Sequence, residues 1–252
     1  MRILLTNDDG VQAPGLVALQ RHLCGGHCVD VVAPDRERSA VSHAITLLTP
    51  LRVHRVTNGA GEGFAVNGTP ADCVKLALWE LLAQKPDVVI SGINPGPNVG
   101  RNLNYSGTVS AAKEAALLSL PAIAVSVSRA DAGQFCAAAK FIEALAQRVL
   151  QYGLPPGVFL NVNLPDVEPG QIRGVRICRQ GEARLEETFH KRTDPRNQVY
   201  YWQGSVTRLL GESSEEDGVA LKENYIAVTP VRCDMTDYGF FSKLESWDLD
   251  LT

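Results

Sequence analysis

Two adjacent carboxylates, Asp8 and Asp9, follow the first apolar stretch of the chain within the sequence TNDDG of residues 6–10. Like charges this close repel each other unless a cation or a proton lies between them. Carboxylate, hydroxyl and amide oxygens are hard ligands that suit Mg²⁺, Mn²⁺ or Ca²⁺ better than Zn²⁺. The pair therefore predicts a divalent-cation site, although a turn and helix N-cap completed by Gly10 would also explain these residues.

Two further oxygen donors follow other apolar stretches. Ser39 lies in the polar segment after residues 29–33, and Asn94 lies in the sequence SGINPGPN of residues 91–98. If the preceding strands are parallel, their carboxyl ends meet at one edge of the sheet, where ligands bind in this class of fold. We expect Asp8, Asp9, Ser39 and Asn94 to hold one divalent cation per subunit, either Mg²⁺ or Mn²⁺.

A predicted anion site lies nearby, where Ser106, Gly107 and Thr108 open a helix. Free N–H groups and the helix dipole favour an anion there, hydroxyls add donors, and Asn98 can add a further contact. An ordinary Ser or Thr N-cap is the simpler alternative. A cation beside an anion site suits hydrolysis of a phosphate ester, with Asp8 as the candidate to orient or deprotonate the attacking water.

The elements that must position these residues alternate between strand and helix. The predicted strands are residues 3–5, 29–33, 87–90, 122–127 and 158–162, and the predicted helices are residues 14–23, 70–83, 109–118 and 133–150. We also predict an extended segment at 44–56 and a loop at 91–107. Apolar strands alternating with helices predict an α/β fold with a doubly wound, mostly parallel Rossmann-like sheet over residues 1–165.

Residues 166–252 change character and predict a smaller β-rich, loop-rich C-terminal extension that completes the sheet and contributes to oligomerisation. One short helix is expected near residues 219–224, and the acidic residues 215–217 are expected in a solvated loop. The aromatic run of residues 200–202 is more typical of packing or a subunit contact than of a platform for stacking bases.

Composition excludes several function classes. Lys and Arg number 24 against 28 Asp and Glu, for a net charge of −4, which argues against a partner of duplex nucleic acid. No run of about 18 apolar residues predicts a membrane span. The short apolar start does not resemble a signal peptide, and the six scattered cysteines then predict a reduced, cytoplasmic protein. The P-loop, dinucleotide-binding, G-x-S-x-G and H-E-x-x-H motifs are all absent from the sequence.

One local cluster, formed by His22, Cys24, His27 and Cys28, has ligand types that suit zinc. No second half of a zinc finger follows at a usual spacing. A helix that ends at Gly25 and Gly26 before a strand is the preferred interpretation.

Five blocks, in this order, resemble the SurE family of nucleotide phosphatases: MRILLTNDDG, VVAPDRERSAVSHAIT, GTPADCVKLA, SGINPGPNVG and SGTVSAA. The resemblance implies a metal-dependent phosphomonoesterase that hydrolyses nucleoside 5′- and 3′-monophosphates to nucleoside and phosphate. It also implies a homodimer or homotetramer with an exchanged C-terminal segment. The implied metal ligands are Asp8, Asp9, Ser39 and Asn94, and the implied phosphate contacts are Asn98, Ser106, Gly107 and Thr108.

The sequence departs from the family pattern at two positions. Pro95 is expected to stiffen its loop, and Tyr105 stands where relatives often carry His, so a proton-transfer role for that position is in doubt. His43 follows the Ser39 segment and either faces the site or has a structural role.

Two other functions use an acidic pair. A non-catalytic, receiver-like module for metal and phosphate needs an acceptor Asp after a middle strand, but Asp87 begins its predicted strand. A glycosyltransferase would use Asp8 and Asp9 to hold a metal–nucleotide sugar. Release of phosphate without transfer to a sugar would distinguish hydrolysis from that alternative.

Overall fold

The structure is a computed structural model that describes residues 1–208, 211 and 213–249. Strands and helices alternate along most of the chain. The strands are β1 (Arg2–Thr6), β2 (Cys28–Pro34), β3 (Val53–Asn58), β4 (Gly61–Val66), β5 (Val88–Pro95), β6 (Ala122–Val127), β7 (Val158–Leu164), β8 (Val175–Ile177), β9 (Arg184–Thr193), β10 (Val199–Arg208) and β11 (Ile226–Arg232). The α-helices are α1 (Pro14–Leu23), α2 (Pro70–Leu76), α3 (Gly107–Leu117), α4 (Ala132–Tyr152), α5 (Asp217–Lys222) and α6 (Tyr238–Glu245).

Within the described residues, nine strands form one sheet in the order β3-β4-β2-β1-β5-β6-β7-β11-β8. The strands from β4 to β7 pair in parallel, whereas β3 runs antiparallel to β4 and β11 runs antiparallel to β7. Strands β9 and β10 form a separate antiparallel ribbon. The predicted α/β class, with a doubly wound and mostly parallel sheet and a smaller β-rich C-terminal region, is confirmed.

The strands are apolar throughout because helices cover both faces of the sheet. Successive side chains of a strand point to opposite faces. Accordingly, Ile3 and Leu5 belong to a core cluster with α1 and α4, whereas Leu4 belongs to a second cluster with α2 and α3. This explains why β1 reads as an uninterrupted apolar run instead of an alternating one.

The order of the strands places a topological switch point beside β1. Strands β2, β4 and β3 lie on one side of β1, and β5, β6 and β7 lie on the other. In open α/β sheets, ligands bind outside the carboxyl ends of the strands at such a point. The carboxyl ends of β1 and β5 lead into Asp8 and Asn94, so the predicted cation ligands flank it.

The expected extended segment at residues 44–56 is wrong in its first half, since the strand begins only at Val53. Upstream of it, the chain is tied to the start of α2 by side chains. Thr69 donates to the carbonyl of Ala44 (2.7 Å), and the N–H of Thr46 donates to Asp72 Oδ1 (2.9 Å). Pro50 has no N–H to give to a strand ladder, which further limits β-pairing here.

The expected loop at residues 91–107 is also partly wrong, because β5 continues to Pro95 and a short 3₁₀ turn occupies Gly100–Asn104. The pairing of β5 with β6 shifts register between Ser91 and Asn94. Such a bulge re-aims the side chains after it. The glycine and asparagine content of this segment favoured a loop prediction, but it instead reflects an irregular strand.

Two other helical predictions need correction. The helix predicted at 70–83 is α-helical only to Leu76 and continues as a π-helical turn, Ala77–Leu81. The C-terminal region has the expected short helix, α5, and also α6, which the sequence analysis did not predict. Helix α6 has no buried residues, so no core-facing pattern identified it. Within the described residues, none of the helices has the length and hydropathy needed to cross a bilayer.

Helix α1 packs closely against the edge of the site at Gly15. A Cβ atom added at Gly15 would lie 2.0 Å from the carbonyl oxygen of Ile93, next to Asn94. We predict that Gly15→Ala lowers the free energy of unfolding by about 1–3 kcal/mol, the usual cost of overpacking. Thermal unfolding of Gly15→Ala measures this effect.

The matched control is Gly26→Ala, since a Cβ atom at Gly26 would meet nothing within 4 Å. We expect this variant to keep the melting temperature of the wild type. Equal melting temperatures for both variants would show that α1 does not constrain this strand.

Candidate active site

The turn that carries the acidic pair is organised by a fully buried side chain, Asn7. Its amide nitrogen donates to the carbonyl of Gly10 (2.9 Å), and its amide oxygen accepts from the N–H of Gly10 (3.2 Å). The N-cap of α1 is Ala13, without a side-chain cap. The acidic residues therefore do not cap α1, and the alternative that Asp8 and Asp9 serve as its N-cap is wrong.

Asp8 is buried against the first turn of α3. The hydroxyl of Thr108 donates to Asp8 Oδ1 in a short hydrogen bond. A Cβ atom at Gly107 would lie 2.6 Å from the Cβ atom of Asp8, so only glycine permits this approach. Burial raises the pKa of Asp8, and the hydroxyl of Thr108 and the backbone N–H groups of Thr108 and Gly107 oppose that rise.

A cavity of about 440 Å³ opens at the carboxyl ends of the strands. Six of the eight predicted site residues line it: Asp8, Asp9, Ser39, Asn94, Asn98 and Ser106. The other two, Gly107 and Thr108, contact Asp8. The hydroxyl of Ser106 accepts from the N–H of Val109 (3.1 Å) and so also caps α3.

The second carboxylate, Asp9, carries an unbalanced charge. Burial, together with the charges of Asp8 and Glu37, raises the pKa of Asp9 to about 7. Its Oδ2 atom is buried and has no hydrogen-bond partner among the described residues. None of the described residues that line the cavity is Lys or Arg. An ionised Asp9 therefore lacks a compensating positive charge from these residues.

Glu37 also lines the cavity, although the sequence analysis did not select it. It accepts a hydrogen bond from Ser39 Oγ at 2.5 Å. Its position two residues before a predicted ligand was the signal that could have found it. On the opposite side, Asn94 Nδ2 donates to the carbonyl of Gly96 (2.7 Å), which leaves the amide oxygen of Asn94 as its donor atom for a cation.

Tyr105 lines the cavity and is half exposed, whereas His43 is not among the residues that line it and contacts Glu114 instead. His43 Nε2 lies 2.7 Å from Glu114 Oε2, and this contact lowers the pKa of Glu114. Nearby, the hydroxyl of Ser42 donates to the carbonyl of Asn104 (2.7 Å). The segment after Ser39 is thus fastened to α3 and to the turn before it, which gives His43 a structural role.

The histidines of the possible zinc cluster are engaged by a carboxylate. His22 Nε2 and His27 Nε2 lie 2.7 and 2.8 Å from the two oxygens of Glu143. Over the described residues, no group of three or more His, Cys, Asp and Glu side chains is arranged to hold a metal ion. The cluster therefore joins α1 and β2 to α4, and the preferred helix-to-strand interpretation holds.

Comparisons with known proteins establish the family of this chain. A family model described as "Survival protein SurE" matches residues 3–187. The chain belongs to the SurE family. A protein of Desulfatibacillum aliphaticivorans named 5′-nucleotidase SurE is 68% identical over 251 residues, covering 99% of both chains. One of Syntrophobacter fumaroxidans with the same name is 49% identical over 250 residues, covering 99% of this chain and 100% of the relative.

A solved structure shares the fold of this SurE-family chain. The crystal structure of the SurE protein from Aquifex aeolicus superposes with a TM-score of 0.84 at 36% identity, and covers 99% of this chain and 100% of the other. The match extends beyond the region of the family model into the C-terminal region.

The donor set of this SurE-family site fits a hard divalent cation. Two carboxylates, a hydroxyl and an amide oxygen converge on one cavity, and a buried oxygen of Asp9 has no partner among the described residues. Oxygen ligands of this kind suit Mg²⁺ and Mn²⁺.

The raised pKa of Asp9 predicts that its carboxylate lowers the stability of the metal-free protein at neutral pH. The pKa of Asp9 is about 7 in the folded protein, whereas the ordinary pKa of an aspartate is 3.8. The folded state therefore loses stability, relative to the unfolded state, as pH rises from about 3.8 to about 7. In EDTA, we predict that Asp9→Asn has the melting temperature of the wild type near pH 4 and exceeds it by several degrees at pH 8.

Thermal unfolding in EDTA across this pH range measures the difference. Glu62→Gln removes an exposed carboxylate and is the matched control, with no expected pH-dependent gain. A difference between Asp9→Asn and wild type that does not change with pH would contradict an uncompensated Asp9.

Proposed function

We propose that this chain is a metal-dependent phosphomonoesterase that hydrolyses nucleoside 5′- and 3′-monophosphates to nucleoside and inorganic phosphate. That it is an enzyme of the 5′-nucleotidase class rests on relatives of that name at 68% and 49% identity over nearly its whole length. The metal dependence and the 3′ activity are the further parts of the proposal.

The metal dependence is supported by the charge of the cavity. Asp8, Asp9 and Glu37 line it, and its described lining contains no Lys or Arg. A phosphate dianion would be repelled by these carboxylates unless a cation lay between them. This is the single observation that carries the proposal, because the family's substrate cannot bind such a cavity without added positive charge.

Asp8, Asp9, Ser39 and Asn94 would hold one Mg²⁺ or Mn²⁺ ion per subunit. When bound, the cation would polarise a phosphoryl oxygen and lower the pKa of water. Asp8 would orient the attacking water or accept its proton, since α3 fixes its carboxylate. Glu37 would hold the hydroxyl of Ser39 in place.

The phosphate would lie against Asn98 and the Ser106-Gly107-Thr108 turn. Asn98 and Ser106 face the cavity, and Gly107 and Thr108 also contact Asp8. These groups would recognise the phosphate and not the sugar. The proposal therefore includes esters at both the 5′ and the 3′ position of the ribose.

Phosphate release from nucleoside 5′- and 3′-monophosphates tests this function directly. We expect turnover with Mn²⁺ or Mg²⁺, loss of activity in EDTA and recovery when the cation is returned in excess. For Asp8→Asn, we expect kcat to fall by about 10²-fold or more, the usual contribution of a positioned proton acceptor.

Glu80→Gln is the control, because Glu80 is exposed and lies outside the cavity. Full activity of a folded Asp8→Asn protein would remove Asp8 from the mechanism. Undiminished activity in EDTA, with metal analysis confirming its removal, would refute the metal dependence.

We also propose that the chain forms a homodimer or homotetramer through its C-terminal region. The β9–β10 ribbon exposes the side chains of Phe189, Tyr201 and Trp202, and α6 exposes Phe240 and Phe241. Phe189 lies opposite Gln203, two residues from Tyr201, so these two exposed rings share one face of the ribbon. Contiguous exposed apolar surface of this kind marks interaction sites in soluble proteins. The second copy of the chain is the partner that the family resemblance implies.

Light scattering after gel filtration tests the assembly. We expect a mass of two or four times 27.2 kDa for the wild type, and a shift to smaller species for a Tyr201→Glu, Trp202→Glu double variant. Tyr152→Glu is the control, since Tyr152 is exposed on α4, away from the ribbon. A wild-type mass of one chain would refute the proposal.

A further inference from the structure

Strand β7 lies inside the sheet, where buried polar side chains are costly, yet it carries two asparagines. Asn161 and Asn163 have no exposed surface, and their neighbours Phe159, Val162 and Leu164 are buried apolar residues. Residues two apart lie on the same face of a strand, so both amides point to the face that Phe159 shares with α3. Buried amides are costly unless hydrogen bonds satisfy them, so their partners indicate their role.

Both amides bind the backbone of one residue, Asn98. Asn163 accepts from the N–H of Asn98 (2.8 Å) and donates to its carbonyl (3.0 Å). Asn161 donates to that carbonyl as well (2.8 Å). Asn163 thus satisfies both backbone groups of Asn98, as a neighbouring strand would.

A fourth hydrogen bond fixes the side chain of Asn98. Its Nδ2 atom donates to Ser126 Oγ (2.9 Å), and Ser126 is itself fully buried. Ser126 pairs with Asn163 on one side and with Asn94 on the other. Asn94, Ser126 and Asn163 therefore lie side by side on β5, β6 and β7. The predicted cation ligand Asn94 is thus next to the residues that hold Asn98.

We propose that Asn161, Asn163 and Ser126 are positioning residues that hold Asn98 at the cavity for the phosphate group of the substrate. The inference rests on the proposed function, since Asn98 is its phosphate contact. With one amide hydrogen bound to Ser126, the other hydrogen of Asn98 Nδ2 remains for a phosphoryl oxygen. The three residues act through Asn98 and do not line the cavity themselves.

Asn163→Asp is the most direct test, because it keeps the shape and the acceptor of Asn163 but removes the donor to the Asn98 carbonyl. We expect KM for the nucleotide and the inhibition constant of inorganic phosphate to rise together by about tenfold, as for one lost hydrogen bond to a charged group. The dissociation constant for Mn²⁺ should stay within about twofold, since the cation ligands are untouched. An unchanged phosphate constant would overturn the proposal.

Ser126→Ala removes only the hydroxyl that binds the side chain of Asn98. It replaces the first test if the carboxylate introduced by Asn163→Asp prevents folding. We expect a smaller rise in the phosphate constant, with the Mn²⁺ affinity retained. No rise in this folded variant would also overturn the proposal.

Thr229→Val is the matched control. Thr229 lies opposite Asn161 on β11, is equally buried, and its hydroxyl has no partner among the described residues. We expect its phosphate constant to match that of the wild type. An equal rise in this variant would show that any loss of polarity in the sheet weakens phosphate binding, which would contradict a specific role for Asn163.

A double-variant comparison separates positioning from a general structural effect. Asn98→Ala removes the side chain but keeps the backbone N–H and carbonyl groups that Asn163 binds. If Asn163 acts through Asn98, adding Asn163→Asp to Asn98→Ala should change the phosphate constant little. Additive losses would show that Asn163 acts independently and would overturn the proposal.

Direct binding of inorganic phosphate in the presence of Mn²⁺ keeps this test separate from the enzymatic activity. A wild type that binds phosphate but hydrolyses no nucleoside monophosphate would refute the proposed function and leave the role of Asn163 measurable. Normal hydrolysis with unaltered phosphate binding in Asn163→Asp would refute only the positioning role.

Discussion

The constraint on which the site depends is repulsion between carboxylates that the fold holds in a partly dehydrated cavity. Asp8 and Asp9 are adjacent in the chain, and Glu37 is close enough to raise the pKa of Asp9 further. The fold provides hydrogen bonds to Asp8 from α3 but leaves an oxygen of Asp9 unpartnered among the described residues. On the proposed metal dependence, such a site would be preorganised for a cation, because binding would relieve an electrostatic cost that folding has already imposed.

The rest of the architecture serves to keep that arrangement rigid. Asn7 closes the turn that carries the acidic pair, and the absence of a Cβ atom at Gly107 lets α3 approach Asp8. The bulge in β5 directs Asn94, and the buried amides of β7 hold Asn98. Each of these features positions a residue that lines the cavity. The placement of chemistry at loops, supported by buried side chains of the sheet, is common in α/β enzymes.

Much of this arrangement could be predicted from the sequence because it is encoded locally. Apolar runs alternating with amphipathic helices gave the class of fold, and TNDDG and SGINPGPN marked strand ends. Six of the eight predicted site residues line one cavity. Glu37 was missed because its charged segment is typical of a solvated turn, and its position two residues before Ser39 was the one signal for the site.

Other features depend on partners distant in sequence. The bulge at Ser91–Asn94 is defined by its register with β6, and the glycines there are equally typical of a loop. Asn161 and Asn163 become meaningful only once Asn98 is known to lie beside them, 63 and 65 residues away in the chain. Helix α6 has no buried residues, so its sequence lacks the core-facing apolar pattern that identifies a helix.

The pairing of β11 with β7 has a consequence for how the chain can be divided. Residues 226–232 satisfy the outer backbone groups of the strand that carries Asn161 and Asn163. A fragment that stopped before Ile226 would leave those groups open along an edge, where they would recruit other chains or fray. Gene fusions or truncations that remove the last strand would therefore open a sheet edge directly beside the residues that hold Asn98.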